Sequence, residues 1–235
     1  MELFIFIILP VVAASVSYFF FKERRYFEFF LILIVLLQAS FALYAGYQAV
    51  LHNTVSLGNN FSYDSLSALF LILISVIGVF ASIYSIGYIR HEMKEELIGP
   101  GRMRQYYTLI YLFLFSMYLA VLANHPLVTW IAIETTTLST ALLISMYNKP
   151  AAMEAAWKYL IINSVGLLVG LFGTVLYLAL GAEKLGNEMI TWQNLTQGAI
   201  LLNPEILKIA FIFVVVGYGT KMGLAPMHTW SSKWN

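Results

Sequence analysis

Three ionisable residues stand inside stretches that are otherwise apolar: Glu134, Lys158 and Lys221. On insertion scales such a residue costs about 2.5–3.5 kcal/mol at the centre of a spanning helix, so it usually faces a bundle interior or a wet cavity and marks an ion route. The chemistry open to one carboxylate and two amines in that setting is proton transfer. Glu134 sits in "TWIAIETTTLSTALL" (129–143), about ten residues below the break at Asn124, or roughly 15 Å at about 1.5 Å per residue. Lys158 lies about nine residues from Lys149, roughly 13 Å in. A tight "NKP" turn makes their two helices antiparallel neighbours, so both charges fall near mid-membrane and can approach each other. A pair caught between mutual attraction and the cost of burial can trade a proton near neutral pH. Two other uses of Lys158 stay open. The pair can be a static lock between helices, or Lys158 can be satisfied by Glu154, four residues earlier at the favoured helical spacing.

Lys221 lies in "VVVGYGTKMGLAPMHTW" (214–230), among Gly217, Gly219, Gly223 and Pro226. Proline removes a helical hydrogen bond and glycine weakens the helix. Broken helices at membrane depth occur where they line protein-buried or watery cavities. A lysine there suits a proton stop; the alternative is that it snorkels to the nearby polar end "SSKWN". His228 can pass protons at neutral pH, or sit in the interface beside Trp230. The Ser/Thr run after Glu134 can bond carbonyls one turn back, let helices pack closely, or hold water.

The elements that must position these residues follow from composition. Hydrophobic residues make up 60% of the 235 positions, charged residues only 11%, and the mean hydropathy is +0.80. A soluble domain carries about 25% charged residues, so the chain reads as an all-α integral membrane protein. Seven stretches suit spanning helices, at about 2–21, 26–50, 64–89, 106–124, 126–147, 151–180 and 205–229. None shows the period-2 alternation of a barrel. The segment 182–204 reads either as an interfacial amphipathic helix or as a loop. Lys22, Arg24, Arg25, Arg90, Lys94, Arg102, Arg104 and Lys149 share one side with Lys233, against Lys184 and Lys208 on the other, so the amino terminus is expected outside. The positive cluster "KERR" follows the first apolar run, so that run reads as a spanning helix and not as a cleavable signal peptide. A net charge of +1 without a Lys/Arg run gives no nucleic-acid footprint. The absence of cysteine excludes disulfides, thiolate zinc sites and Cys-ligated iron–sulfur clusters in this sequence.

The stretches "YDSLSALF" (63–70), "WIAIETTTLSTALLISMY" (130–147), "EAAWKYLIINSVG" (154–166) and "KMGLAPMHTW" (221–230) resemble the proton-translocating antiporter-like subunits of complex I, Mrp antiporters and membrane-bound hydrogenases. The wording is most similar to the hydrogenase-4 component F type. The resemblance covers about residues 62 to 230 and implies a third helix plus an incomplete first five-helix repeat (about helices 4–7) over 63–235, after two N-terminal helices in 1–62. It implies that Glu134, Lys158 and Lys221 form half of a proton path, with Lys221 on a broken seventh helix. It also implies an inner membrane of a prokaryote, no cofactor in this chain, and partner subunits with iron–sulfur and nickel–iron centres on a hydrophilic redox arm. Family members have about fourteen helices in two inverted repeats, whereas this sequence runs only just past the seventh. Another membrane subunit is therefore expected to supply the second half. Two alternatives stay open: a non-conducting structural anchor, and a subunit of an Mrp-type sodium/proton antiporter.

Overall fold

The computed structural model describes residues 2–19, 24–52, 54–186 and 190–224. Eight α-helices run in the order α1 (Glu2–Phe19), α2 (Arg24–His52), α3 (Ser65–Lys94), α4 (Pro100–Leu122), α5 (Pro126–Ile144), α6 (Pro150–Leu185), α7 (Trp192–Gly198) and α8 (Pro204–Met222). Five of them, α2 to α6, are long and apolar enough to cross a membrane. The all-helical membrane architecture expected from composition is thus observed. Among the described residues α1 and α8 are also long helices, but they are not among those five.

Proline opens four of these helices. Pro100, Pro126, Pro150 and Pro204 each occupy a first-turn position, where no helical donor is lost and φ is already set. Four different caps bond the first-turn amides: Asp64 to Ser67 N, His125 Nδ1 to Leu127 N, Thr191 to Asn194 N and Asn203 to Glu205 N.

The segment read as a polar break after α2 is instead a β-hairpin. Strands β1 (Thr54–Leu57) and β2 (Phe61–Asp64) pair antiparallel around a turn with Gly58 at φ 64°. Alternation of Val55, Phe61 and Tyr63 with polar neighbours is a strand pattern, and a window-scale hydropathy reading averages it away. The hairpin is tied to the α4–α5 break: Asn124 N donates to Asn60 O at 2.7 Å and Asn124 Nδ2 to Asn59 O at 3.1 Å. The segment after α6 contains a short helix, α7, and a 3-10 turn at Ala199–Leu201. Trp192 N in turn donates to Asn124 O at 2.8 Å. One face of the bundle therefore gathers the hairpin, the α4–α5 break and α7. The opposite, basic face carries the α3–α4 and α5–α6 turns, joined by a Tyr88–Tyr147 hydroxyl contact.

The outside of the bundle is apolar, unlike that of a soluble protein. On α3, Phe80 is 69% exposed while Ser75, Ser82 and Ser85 are buried. Small polar groups share the interior with apolar ones such as Leu71 and Ile89, while large apolar side chains also face outward, which is what a lipid solvent allows.

Candidate ion-transfer site

The site is built where α5, α6 and α8 meet. Close approach of α6 and α8 is written in glycine. A Cβ on Gly217 would fall inside the backbone of Gly170, and one on Gly173 would stand 2.7 Å from Ala210 O and 2.8 Å from Val214 N. Small residues at such a crossing let two backbones touch in a membrane. Gly166 faces Thr220, one residue before Lys221. Helix α8 then ends in a Schellman turn: Gly223, at φ 74°, donates to Thr220 O at 3.2 Å, and Leu224 N donates to Gly219 O at 2.9 Å. Helix α8 thus ends one residue after Lys221, at Met222, and the second half expected of a broken helix falls outside the described residues.

From that last turn Lys221 reaches inward rather than towards a polar end. Its Nζ donates to Thr137 Oγ1 on α5 at 2.9 Å and to Tyr159 OH on α6 at 3.2 Å, with the Tyr159 ring centre 5.5 Å away. The snorkelling alternative is not what the structure shows. Glu134 lies one turn from Thr137 on α5, about 5 Å along the axis. Its charge acts on both Lys221 and Tyr159. Among the described residues no ion pair closes between Glu134 and Lys221. Instead Ser164 Oγ donates to Glu134 Oε1 at 2.6 Å. Glu134 Oε2 and the neighbouring Asn163 Oδ1 are buried without a hydrogen-bond partner among the described residues. Trp130 Nε1, donating to Leu167 O at 2.8 Å, pins α5 to α6 across the site.

Lys158 departs from the interior placement expected of it. It forms an ion pair with Glu154, one turn earlier, and its side chain is 40% exposed on the outer side of α6. The intrahelical pair with Glu154 is observed, as residues one turn apart leave α6 on the same side. His228, Pro226 and the expected run to "MHTW" lie outside the described residues. The Ser/Thr run back-bonds as its chemistry permits: Ser139 Oγ donates to Thr135 O at 2.7 Å and Thr140 Oγ1 to Thr136 O at 2.8 Å. Sequence reading passed over Thr137, Tyr159 and Ser164 as individual site residues. The available signal was helical spacing, since Thr137 is three residues after Glu134 and Tyr159 adjoins Lys158.

Chemically, the cluster sets an acid bonded to one hydroxyl, Ser164, near an amine bonded to two others, Thr137 and Tyr159. Each hydroxyl both donates and accepts, which is the chemistry a proton relay uses. An ammonium held by two neutral oxygens is also not locked by a contact carboxylate, and Glu134 acts on it from a distance.

Residues 123–234 match the family model described as NADH:quinone oxidoreductase/Mrp antiporter, TM, and residues 51–96 match that of NADH-ubiquinone oxidoreductase (complex I), chain 5 N-terminus. The chain is 35% identical over 193 residues to a hydrogenase-4 component F homolog of Methylacidiphilum infernorum, covering 81% of this chain and 40% of the relative. It is 30% identical over 171 residues to F(420)H(2) dehydrogenase subunit N of Methanosarcina mazei, covering 72% and 32% respectively. Its fold is similar to a chain of the membrane-bound sulfane sulfur reductase, an archaeal respiratory membrane complex, with a TM-score of 0.80 at 18% identity, over 98% of this chain and 47% of the other. It is also similar to a chain of respiratory complex I from Thermus thermophilus, with a TM-score of 0.69 at 20% identity, over 98% and 46%. The chain thus spans less than half the length of these relatives.

Proposed function

Because the chain belongs to the NADH:quinone oxidoreductase/Mrp antiporter family of membrane subunits, we propose that it carries part of the ion pathway of a redox-driven pump of hydrogenase-4 or complex I type. The observation that carries this reading is the seat of Lys221, held by Thr137 and Tyr159 within electrostatic range of Glu134. Glu134 is the coupling acid, Lys221 the gated carrier, and Lys158 with Glu154 a relay at the edge. His228 extends the route beyond Gly223. The transported ion is a proton, with sodium the alternative the family also holds open.

Helices α1 and α8 complete seven crossings, and the basic face is cytoplasmic by the positive-inside rule, with the amino terminus outside. The membrane is a prokaryotic inner membrane. Redox centres, iron–sulfur and nickel–iron, belong to partner subunits on a hydrophilic arm. A further membrane subunit fits the outward Lys158–Glu154 pair, since an ion pair roughly 7–13 Å from the turn at Lys149 is costly against lipid and needs a protein cover.

The experiment is ion uptake by liposomes holding the whole complex, with Glu134→Gln or Lys221→Ala. Uptake falls at least tenfold in both while the complex still assembles. Unchanged uptake in both variants removes this reading. Intact uptake with failed assembly would favour a structural anchor, and a complex free of iron–sulfur and nickel proteins would favour an Mrp-type antiporter.

A further inference from the structure

A groove of about 510 Å³ lies between α6, α7 and α8, and no residue of the Glu134–Lys221 cluster lines it. Its floor is a stripe of α8 at helical spacing: Leu207 and Lys208, Phe211, Val214 and Tyr218. Thr174 and Tyr177 of α6 form the opposite wall, and Trp192 stands at the end nearest the hairpin face. The two long helices run antiparallel, so Thr174 and Tyr218 mark the deep end, with their hydroxyls 3.2 Å apart. At the shallow end Tyr177 OH donates to Leu195 O at 3.2 Å, and Trp192 Nε1 donates to Thr129 Oγ1 at 3.0 Å. The wall hydroxyls and the indole are therefore all satisfied by protein.

Lys208 is the exception. Among the described residues it closes no ion pair, although Glu205 stands one turn earlier. The positive-inside bias collects basic residues on the opposite face, so it gives no reason for this one. Phe211 in the groove is 66% exposed and Ile200 beside it 92%, so the groove opens sideways into the membrane and not to water. From Lys208 to Tyr218 it follows α8 for about 15 Å. That is half of a hydrocarbon core of roughly 30 Å, the depth that one leaflet's acyl chain fills. Trp192 and Tyr177 at the shallow end sit where aromatic side chains meet headgroups.

We propose that this groove seats an anionic phospholipid of the leaflet on the hairpin face, with its phosphate against Lys208 and one acyl chain lying along Phe211 and Val214 to Tyr218. Charge complementarity selects the occupant: an unpaired ammonium at headgroup level above an apolar shaft matches a negative head on a hydrocarbon chain. At its deep end the chain packs on Tyr218, whose ring faces Gly170 in the α6–α8 crossing, so the lipid buttresses that crossing from outside. The site does not depend on the ion-pathway reading, since the lipid seats whether or not Lys221 carries an ion.

The test is native mass spectrometry of the full chain released from nanodiscs of mixed phosphatidylglycerol and phosphatidylcholine. One phosphatidylglycerol is retained in preference to phosphatidylcholine, and Lys208→Gln lowers that preference about fivefold, the factor one lysine near an anionic surface carries. Arg102→Gln, which removes a basic residue on the opposite face, leaves the preference unchanged. Phosphatidylglycerol with a photoreactive diazirine midway along its chain marks α8 between Lys208 and Tyr218 in the unsubstituted protein, so this result needs no variant to fold. Equal retention of the two lipids, a preference indifferent to Lys208→Gln, or no mark in the groove overturns the proposal. Displacement of the phospholipid by oleate also overturns it, because the occupant is then a free fatty acid. On the assembled complex the same mark persists; its loss there overturns the proposal by showing a protein segment in the groove in place of lipid.

Discussion

Lys221 shows how a membrane lysine can be satisfied without being neutralised. Hydrogen bonds to charged groups are worth about 1.5–3 kcal/mol, so each hydroxyl on its Nζ carries a factor of ten or more in how fully the lysine is seated. Thr137→Val therefore lowers transport by the assembled complex about tenfold, Tyr159→Phe does so to a similar degree, and Thr137→Ser, which keeps the hydroxyl, restores the rate. A variant Thr137→Val with full activity would show that Lys221 works from some other position. The charges of this site were legible in the sequence because each breaks an apolar run. Their partners were not, because Thr137, Tyr159 and Ser164 are ordinary residues in such helices, and only tertiary packing selects them. Lys158 shows the complementary limit: depth in the membrane was readable, but which way the side chain leaves α6 was not. Outside the spans, Asp64 is tied to the Ser67 amide, and that hydrogen bond holds its carboxyl below the ordinary value of 3.8 against opposing burial. A depressed folded value means the cap stabilises fully above the unfolded value and loses that contribution as pH falls through the folded one. The melting advantage of the native chain over Asp64→Asn should be constant near neutrality and fade below about pH 4. A difference that does not vary with pH would sever this link.

At the scale of elements, the α6–α8 crossing does most to shape the site. Gly166, Gly170 and Gly173 lie on one side of α6 and bring Gly217 and Thr220 to backbone distance. Overpacking such a contact costs typically about 1–3 kcal/mol. Gly217→Ala has no flexible atom to displace, since its Cβ meets the backbone of Gly170 and Gly166 O. It should lower the melting temperature of the detergent-solubilised chain and abolish transport with the same sign, because α8 cannot part from α6 without withdrawing Lys221 from Thr137. Gly87→Ala, whose Cβ would meet open space, serves as the neutral control. The spans themselves were readable from hydropathy, their ends less so: α4 begins at Pro100, well before the apolar run starts at about 106. Polar first turns extend helices beyond the lipid-sized core, and a hydropathy reading sees only that core. The β1–β2 hairpin escaped for a different reason, since eight paired residues in a polar stretch give a short-range signal that only their bonds to Asn124 make stable.

At the scale of the whole molecule, sidedness ties the pieces together. The bonds among Asn60, Asn124 and Trp192 place the hairpin, the α4–α5 break and α7 on one face, and connectivity sends the α3–α4 turn to the other. Arg90, Lys94, Arg102, Arg104 and Lys149 belong to that other face, whereas Lys208 lies on the hairpin face. Basic residues are retained on the cytoplasmic side, so the orientation proposed above puts the face of Arg90 and Lys149 in the cytoplasm. The natural absence of cysteine makes this measurable, because a single introduced thiol is the only reactive one. Ser56→Cys places it on an exposed position of the hairpin, and Gly101→Cys places it in open space at the start of α4. In intact cells a membrane-impermeant maleimide should label Ser56→Cys and leave Gly101→Cys untouched until the membrane is opened. The reverse pattern would turn the molecule over and make the basic face external without moving an atom of the site.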